Sequence, residues 1–264
     1  MAAATVEDWV DSLQAQGKYA FLRAEAISGS GLSAEAVKKA LQRLARRKRV
    51  VKVKNYFYVI VPLEYLHAGS PPPSWFIDDL MKAMDRPYYV GLLSAAGIHG
   101  ASHHQPQEFQ VITNRPVRPL QVGRTRVRFF TSKRAADTAV QSVKTPTGGM
   151  RVSTPEATAF DLVRFAKVAG QIDNVATVLA DLVPLLDPKR MLKVVRAGGD
   201  VPNAQRLGYL LDKVRGRSQA KAFHEWLKRQ SPRTVPLRPG RTLAGAEEDR
   251  RWRVLVGDPV EVES

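Results

Sequence analysis

Hydrophobic positions in the first 66 residues change their period once, from helical spacing to alternation. Between residues 5 and 16, Val6, Trp9, Val10 and Leu13 recur at helical spacing, and Gly17 follows where a helix would stop. A second helical run, RAEAIS at 23–28, leads into Gly29-Ser-Gly31. Ser33 then stands where it can cap a longer helix, with Glu35 in its first turn to complement the dipole. In that helix Val37, Ala40, Leu41 and Leu44 share one face at 100° per residue, and Lys38, Lys39, Gln42, Arg43 and Arg46 share the other. From Arg49 the period becomes two. Val51 and Val53 alternate with Lys52 and Lys54, and Tyr56-Phe-Tyr-Val-Ile-Val61 returns, so the pattern predicts a hairpin with Lys54-Asn55 at its tip.

Charge changes how this pattern is read. The 264-residue chain has a formal net charge of +16, and nine of its cations fall between Lys38 and Lys54 without one acid. A helix dipole is satisfied by two or three cations, so the excess points to a polyanion. A short helix, a glycine turn, a basic helix and a basic hairpin form the layout of a winged helix. The helix would enter a major groove and the hairpin would follow the flanking backbone. The predicted DNA contacts are Ser33, Lys38, Lys39, Gln42, Arg43, Arg46, Arg49, Lys52, Lys54, Asn55 and Tyr56.

The stretch HAGSPPP at 67–73 predicts a linker, because consecutive prolines prevent regular pairing. This divides the chain into 1–66, a linker at 67–73 and a larger domain at 74–264. In the latter, helices are predicted at 75–84 and 92–98, and strands at 108–113, 126–131, 140–144 and 150–153. Ser153-Thr-Pro-Glu156 has the spacing of a capping box opening a further helix, and helical patterns recur at 174–183, 203–214 and 218–229. The expected class is α+β: an N-terminal winged helix-turn-helix, then a mixed domain with a small sheet and a helical C-terminal part.

Chemistry narrows the function. Without cysteine there are no disulfides or thiolate sites, and the chain suits a reducing compartment. Acids at Glu7, Asp8 and Asp11 stand where a secretory signal would be basic and then apolar, and the longest apolar run is too short to span a membrane, so a cytoplasmic protein is expected. His99, His103 and His104 lack a carboxylate partner for a metal, and none is expected. Glu108 and Gln110 on a strand, with Asp78, Asp79 or Asp85 upstream, loosely match Mg²⁺-dependent nucleases, but glutamine replaces the lysine such sites use. No phosphate-binding glycine loop, G-x-S-x-G or H-E-x-x-H occurs, so neither enzyme activity nor a cofactor is expected. Seven more cations lie between Arg115 and Arg134 without an acid. Arg115, Arg118, Arg124, Arg126 and Arg128 are a second candidate contact for a polyanion or an acidic partner.

Together with the basic N-terminal pattern, YYVGLLSAAGIHGASHHQPQEFQVIT, STPEATAFDLV, QRLGYLLD, VPLRP and RRWRVLV resemble the AbiEi family of abortive-infection antitoxins over nearly the whole chain. The resemblance implies a transcriptional repressor that binds inverted repeats in its own promoter through the N-terminal domain. It also implies a C-terminal domain that counters a nucleotidyltransferase toxin, directly or indirectly, in phage defence. A monomer that pairs on DNA is the expected state. Asp161, Arg206 and Trp252 in the resembling segments are expected to be structural. The competing expectations are a Mg²⁺-dependent nuclease targeted by a winged helix, and a ligand-responsive regulator.

Overall fold

The computed structural model describes residues 5–101 and 107–262, so His103 and His104 lie outside the described residues. Two compact units partition the chain. The first comprises 1–89, 107–136 and 142–151; the second comprises 90–106, 137–141 and 152–264.

The first unit begins with α1 (Val6–Ala15), β1 (Ala20–Leu22), α2 (Arg23–Ser30), α3 (Ala34–Arg46), β2 (Val50–Lys54) and β3 (Phe57–Ile60). The three strands form an antiparallel sheet in the order β1-β3-β2. Val10, Phe21, Val37, Leu41, Leu44 and Ile60 form the core between helices and sheet. Trp9 lies edge-on to Phe21 with centroids 5.1 Å apart, and Gly29 makes room for its indole, since a Cβ there would fall 2.0 Å from Trp9 Nε1.

β3 is buried on both faces. Tyr58 and Ile60 point to the helices, while Phe57 and Val59, 1% and 0% exposed, point to the other side. On that other side the first unit continues with a 3-10 turn at Pro73–Trp75, α4 (Ile77–Ala83) and β4 (Tyr88–Val90), and α4 packs against β1. The Trp75 ring meets Tyr19 at 4.9 Å and Tyr65 at 5.4 Å. The expected linker at 67–73 is therefore built into this unit. Ser70 is 2% exposed and donates its hydroxyl to Val122 O at 2.9 Å, and Ala68 O accepts from Arg124 N–H at 2.8 Å. Proline does stiffen this stretch, but its carbonyls and side chains are used for packing, and the compact unit runs on to residue 89.

The chain continues through α5 (Leu92–Ile98), β5 (Glu108–Thr113), β6 (Leu120–Val122), β7 (Thr125–Thr131), β8 (Val140–Thr145) and β9 (Gly148–Ser153). Strand order in the six-stranded sheet is β6-β7-β5-β4-β9-β8. β5 and β7 are parallel in register from Glu108↔Arg126 to Thr113↔Thr131, and β6 pairs antiparallel to β7. Within the first unit β6 also lies beside β2.

Helices dominate the second unit: α6 (Pro155–Arg164), α7 (Gln171–Leu182), α8 (Pro188–Gly198), α9 (Val201–Lys213) and α10 (Arg217–Lys228), followed by β10 (Val235–Pro236), β11 (Glu247–Asp249) and β12 (Val254–Val256) in the order β10-β12-β11. α6 does not use the expected Ser153–Glu156 box. Thr154 is its N-cap, accepting from Ala157 N–H at 3.3 Å, and Ser153 Oγ pairs with Thr158 Oγ1 at 2.7 Å. Glu156 is fully buried and accepts from Asp187 N–H at 3.1 Å and Arg190 Nε at 3.2 Å, so it anchors the start of α8 instead.

α9 holds the C-terminal strands through three residues on one face. Gln205 Nε2 donates to the carbonyls of Arg233, Trp252 and Arg253 at 2.8–3.1 Å. Gly208 lies against the Trp252 ring, and Asp212 Oδ2 accepts from Trp252 Nε1 at 2.8 Å. Trp252 is 0% exposed and closed in by the rings of Phe223 and His224. Among the described residues no helix is long and apolar enough to cross a membrane.

Candidate nucleic-acid interface

Ser33 caps α3 as expected, its Oγ accepting from Ala36 N–H at 3.3 Å, so Ser33 serves the helix and leaves its start fixed. Val37, Ala40, Leu41 and Leu44 are buried, and Lys38, Lys39, Gln42, Arg43 and Arg46 are exposed along the opposite face. Lys38 makes an i,i+3 pair with Glu35 at 3.8 Å with both side chains more than half exposed. Such a pair is worth a few tenths of a kcal/mol, about 0.3–0.5, and yields readily to a phosphate. Arg43 and Arg46 occupy the last turn, where they also complement the dipole.

Arg49 departs from the expectation. It is paired with Asp11 and its side chain is only 24% exposed, so it ties the start of β2 to α1. Arg47 is paired in the same way with Glu7 at 3.6 Å. The acids of α1 were absent from the local count of charges because they come from a distant segment.

Strict alternation in β2 also fails. Lys52 pairs with Tyr58 but Lys54 pairs with Phe57, so Val53 is an extra residue in a bulge. Because Tyr58 and Phe57 are consecutive, Lys52 and Lys54 point to opposite faces. Lys52 is exposed on the helix side, while Lys54 is half-buried on the face of Phe57. Asn55 and Tyr56 form the turn, both exposed, and Tyr56 O accepts from Arg23 N–H at 2.8 Å. The exposed Arg23 at the start of α2 therefore stands beside the hairpin tip. It escaped the sequence reading because only the fold brings α2 to the tip. Lys52→Ala is expected to weaken duplex binding about uniformly and lower the salt slope by about 1, whereas Lys54→Ala should leave that slope unchanged; fluorescence anisotropy across a salt series separates them.

Part of the second cationic stripe is engaged within the fold. On β7, Arg126 and Arg128 reach the same Glu108 carboxylate at 3.2 and 3.3 Å, and Arg128 also lies over the Phe130 ring at 5.1 Å. Arg124 donates to His67 Nε2 at 2.9 Å, and Arg115 and Arg118 are exposed between β5 and β6. As expected, Val127 is buried on the reverse face.

The carboxylates considered for metal chemistry are engaged elsewhere. Asp78 accepts from Tyr88 Oη at 2.7 Å and pairs with Lys82 at 2.6 Å, and Tyr88 is pushed far above its ordinary pKa, first by burial and then by this bond. Burial, aided by neighbouring Asp78 and Glu25, raises the Asp79 carboxyl. His99 Nε2 lies 2.8 Å from Ser153 O. Among the described residues no group of three or more His, Asp or Glu side chains is placed to hold a metal ion.

Residues 89–213, covering β4 through α9, match the family model described as the AbiEi antitoxin C-terminal domain. This match, over just under half of the chain, supports an AbiEi-type antitoxin. No curated protein matches it. Among solved structures, the crystal structure of the RV2827C protein from Mycobacterium tuberculosis shares 14% identity with this chain, the match covering 97% of this chain and 92% of that one, with a TM-score of 0.67. That likeness is one of fold. Within the AbiEi region, STPEATAFDLV forms β9's end and α6, and QRLGYLLD forms the α9 face that grips Trp252.

Proposed function

We infer that the protein acts as an antitoxin in a toxin–antitoxin system, a reading supported by the AbiEi domain match at residues 89–213. We propose that α1–α3 and the β1-β3-β2 sheet form a winged helix that represses the antitoxin's own operon, and that the AbiEi domain neutralises a nucleotidyltransferase toxin encoded alongside. The observation that carries the DNA-binding part is α3. Five consecutive exposed positions of one face are Lys38, Lys39, Gln42, Arg43 and Arg46, and the opposite face is wholly committed to the core. A helix fixed in this way can place side chains against base edges without reorganising. Lys52 extends the cationic line onto the hairpin, and Arg23 adds a charge at its tip. Inverted repeats would each present an equivalent half-site to one copy, with pairing on DNA.

Binding of the full chain to its own upstream DNA tests this reading. If about six phosphates are contacted, log K should fall with log salt at a slope of about −5. Lys39→Ala with Arg43→Ala should weaken every duplex, and Gln42→Ala should chiefly relax sequence preference, by about 1–3 kcal/mol at one position. A slope near zero for wild type would mean that α3's charge is not used on DNA.

A further inference from the structure

The second unit contains a cleft of about 670 Å³, within the size range of small-ligand sites (about 300–1,000 Å³). Its walls come from the end of α6, the first turns of α7 and α9, and residues 237–241. Five cations line it, Arg164, Lys167, Arg206, Arg238 and Arg241, against the two acids Asp173 and Asp200. Only one of the five is fully committed. Arg238 binds Asp173 at 2.5 Å and donates to the carbonyls of Asp258 and Pro259 at 2.8 and 3.4 Å. Arg164 and Arg241 form long pairs, 3.8 Å to Asp200 and 3.5 Å to Asp258, and Lys167 is exposed at the rim.

Arg206 is the telling residue. It is half-buried, and among the described residues its hydrogen bond runs through Nε to Pro236 O at 2.9 Å, which leaves the two terminal nitrogens for a ligand in the cleft. Burial makes its charge costly and pushes its pKa down, with Asp200 offsetting part of that. An anion in the cleft would remove the cost.

Two further features border the cleft. α7, twelve residues long, opens into the cleft from Gly170 with no side-chain cap, and both Gly170 (φ 84°) and Gln171 (φ 70°) take left-handed backbone. Asp173, in the first turn of α7, pairs with Arg238 and accepts from Glu261 N–H at 3.1 Å and from its own N–H. The positive end of a helix favours an anion nearby. Asn203, 2% exposed and bordering the cleft, donates its amide nitrogen to Phe160 O at 2.9 Å and so fixes the floor between α6 and α9.

We propose that this cleft binds a phosphorylated small molecule of nucleotide size, its phosphate held by Arg206, Lys167 and Arg241 beside the start of α7. Nothing in this depends on α3 or on DNA reading. The test is isothermal titration and thermal unfolding of the full chain with AMP, ATP and inorganic phosphate. Saturable nucleotide binding is expected, at least tenfold tighter than that of phosphate alone. Lys167→Ala with Arg241→Ala, both exposed, should leave the unliganded melting temperature unchanged and weaken the nucleotide at least tenfold. Arg206→Lys should weaken it further, since an ammonium cannot reproduce the fork. No binding at millimolar nucleotide, equal affinity for inorganic phosphate, or unaltered affinity in the double variant would each overturn the proposal. So would loss of promoter-duplex affinity in that double variant without nucleotide binding, which would assign these cations to the nucleic-acid footprint.

Discussion

Gly208→Ala is expected to destabilise the second unit by about 3 kcal/mol or more, the upper end for an overpacked core. The added Cβ would lie 2.1 Å from Cζ3 of Trp252 and 2.2 Å from Cε3, far inside any real contact. Neither side can retreat. The indole is held by its bond to Asp212 and by Phe223 and His224, and the backbone of α9 is held by Gln205 through three carbonyls. Helix propensity alone would favour alanine over glycine by roughly 1 kcal/mol, so the sign of the effect discriminates packing from propensity. Gly97→Ala is the control, because nothing lies within 4 Å of a Cβ at that position of α5. Thermal unfolding followed by calorimetry should show a markedly lowered transition for the first variant and an unchanged or slightly raised one for the second.

A fragment ending at residue 66 is expected to fail to fold as a soluble domain. Cutting there removes Trp75 from Tyr19 and Tyr65, α4 from β1, and β6 from the side of β2. Phe57 and Val59, now 1% and 0% exposed, belong to the face so uncovered. Fully exposing two such side chains costs about 3–6 kcal/mol, comparable to the whole stability of a small domain. Expression of 1–66 and of the full chain side by side, with hydrogen exchange on whatever is soluble, checks it. A cooperatively folded 1–66 fragment would show that the three-helix core suffices without its covering.

The contrast between α3 and the hairpin explains what a sequence can disclose here. α3 is legible because its apolar stripe, its cap and its charged face all lie within one continuous segment, and its buried set is the one the spacing predicts. The strands at 108–113 and 126–131 are legible for the same reason. Lys54 is not, because a single extra residue at Val53 reverses its direction, and no composition signal marks a bulge. Arg49 and Glu156 are misread because each answers to a residue brought near only by folding, Asp11 in one case and the start of α8 in the other. α8 itself is not legible in the sequence, since its buried residues are few, Met191 and Val195. The partition into two units is the least legible, because each unit draws on segments far apart in the chain.

That partition also bears on how the protein is made. The first unit takes its last segment from residues 142–151, so a ribosome must deliver roughly three-fifths of the chain before the unit is complete. At about 5–20 residues per second, the N-terminal sheet waits on the order of ten seconds with Phe57 and Val59 lacking their full cover. During that interval the nascent chain is a natural client for chaperones and proteases. If the three helices read DNA, the competence to do so is acquired only after the segment at residues 142–151 has been made.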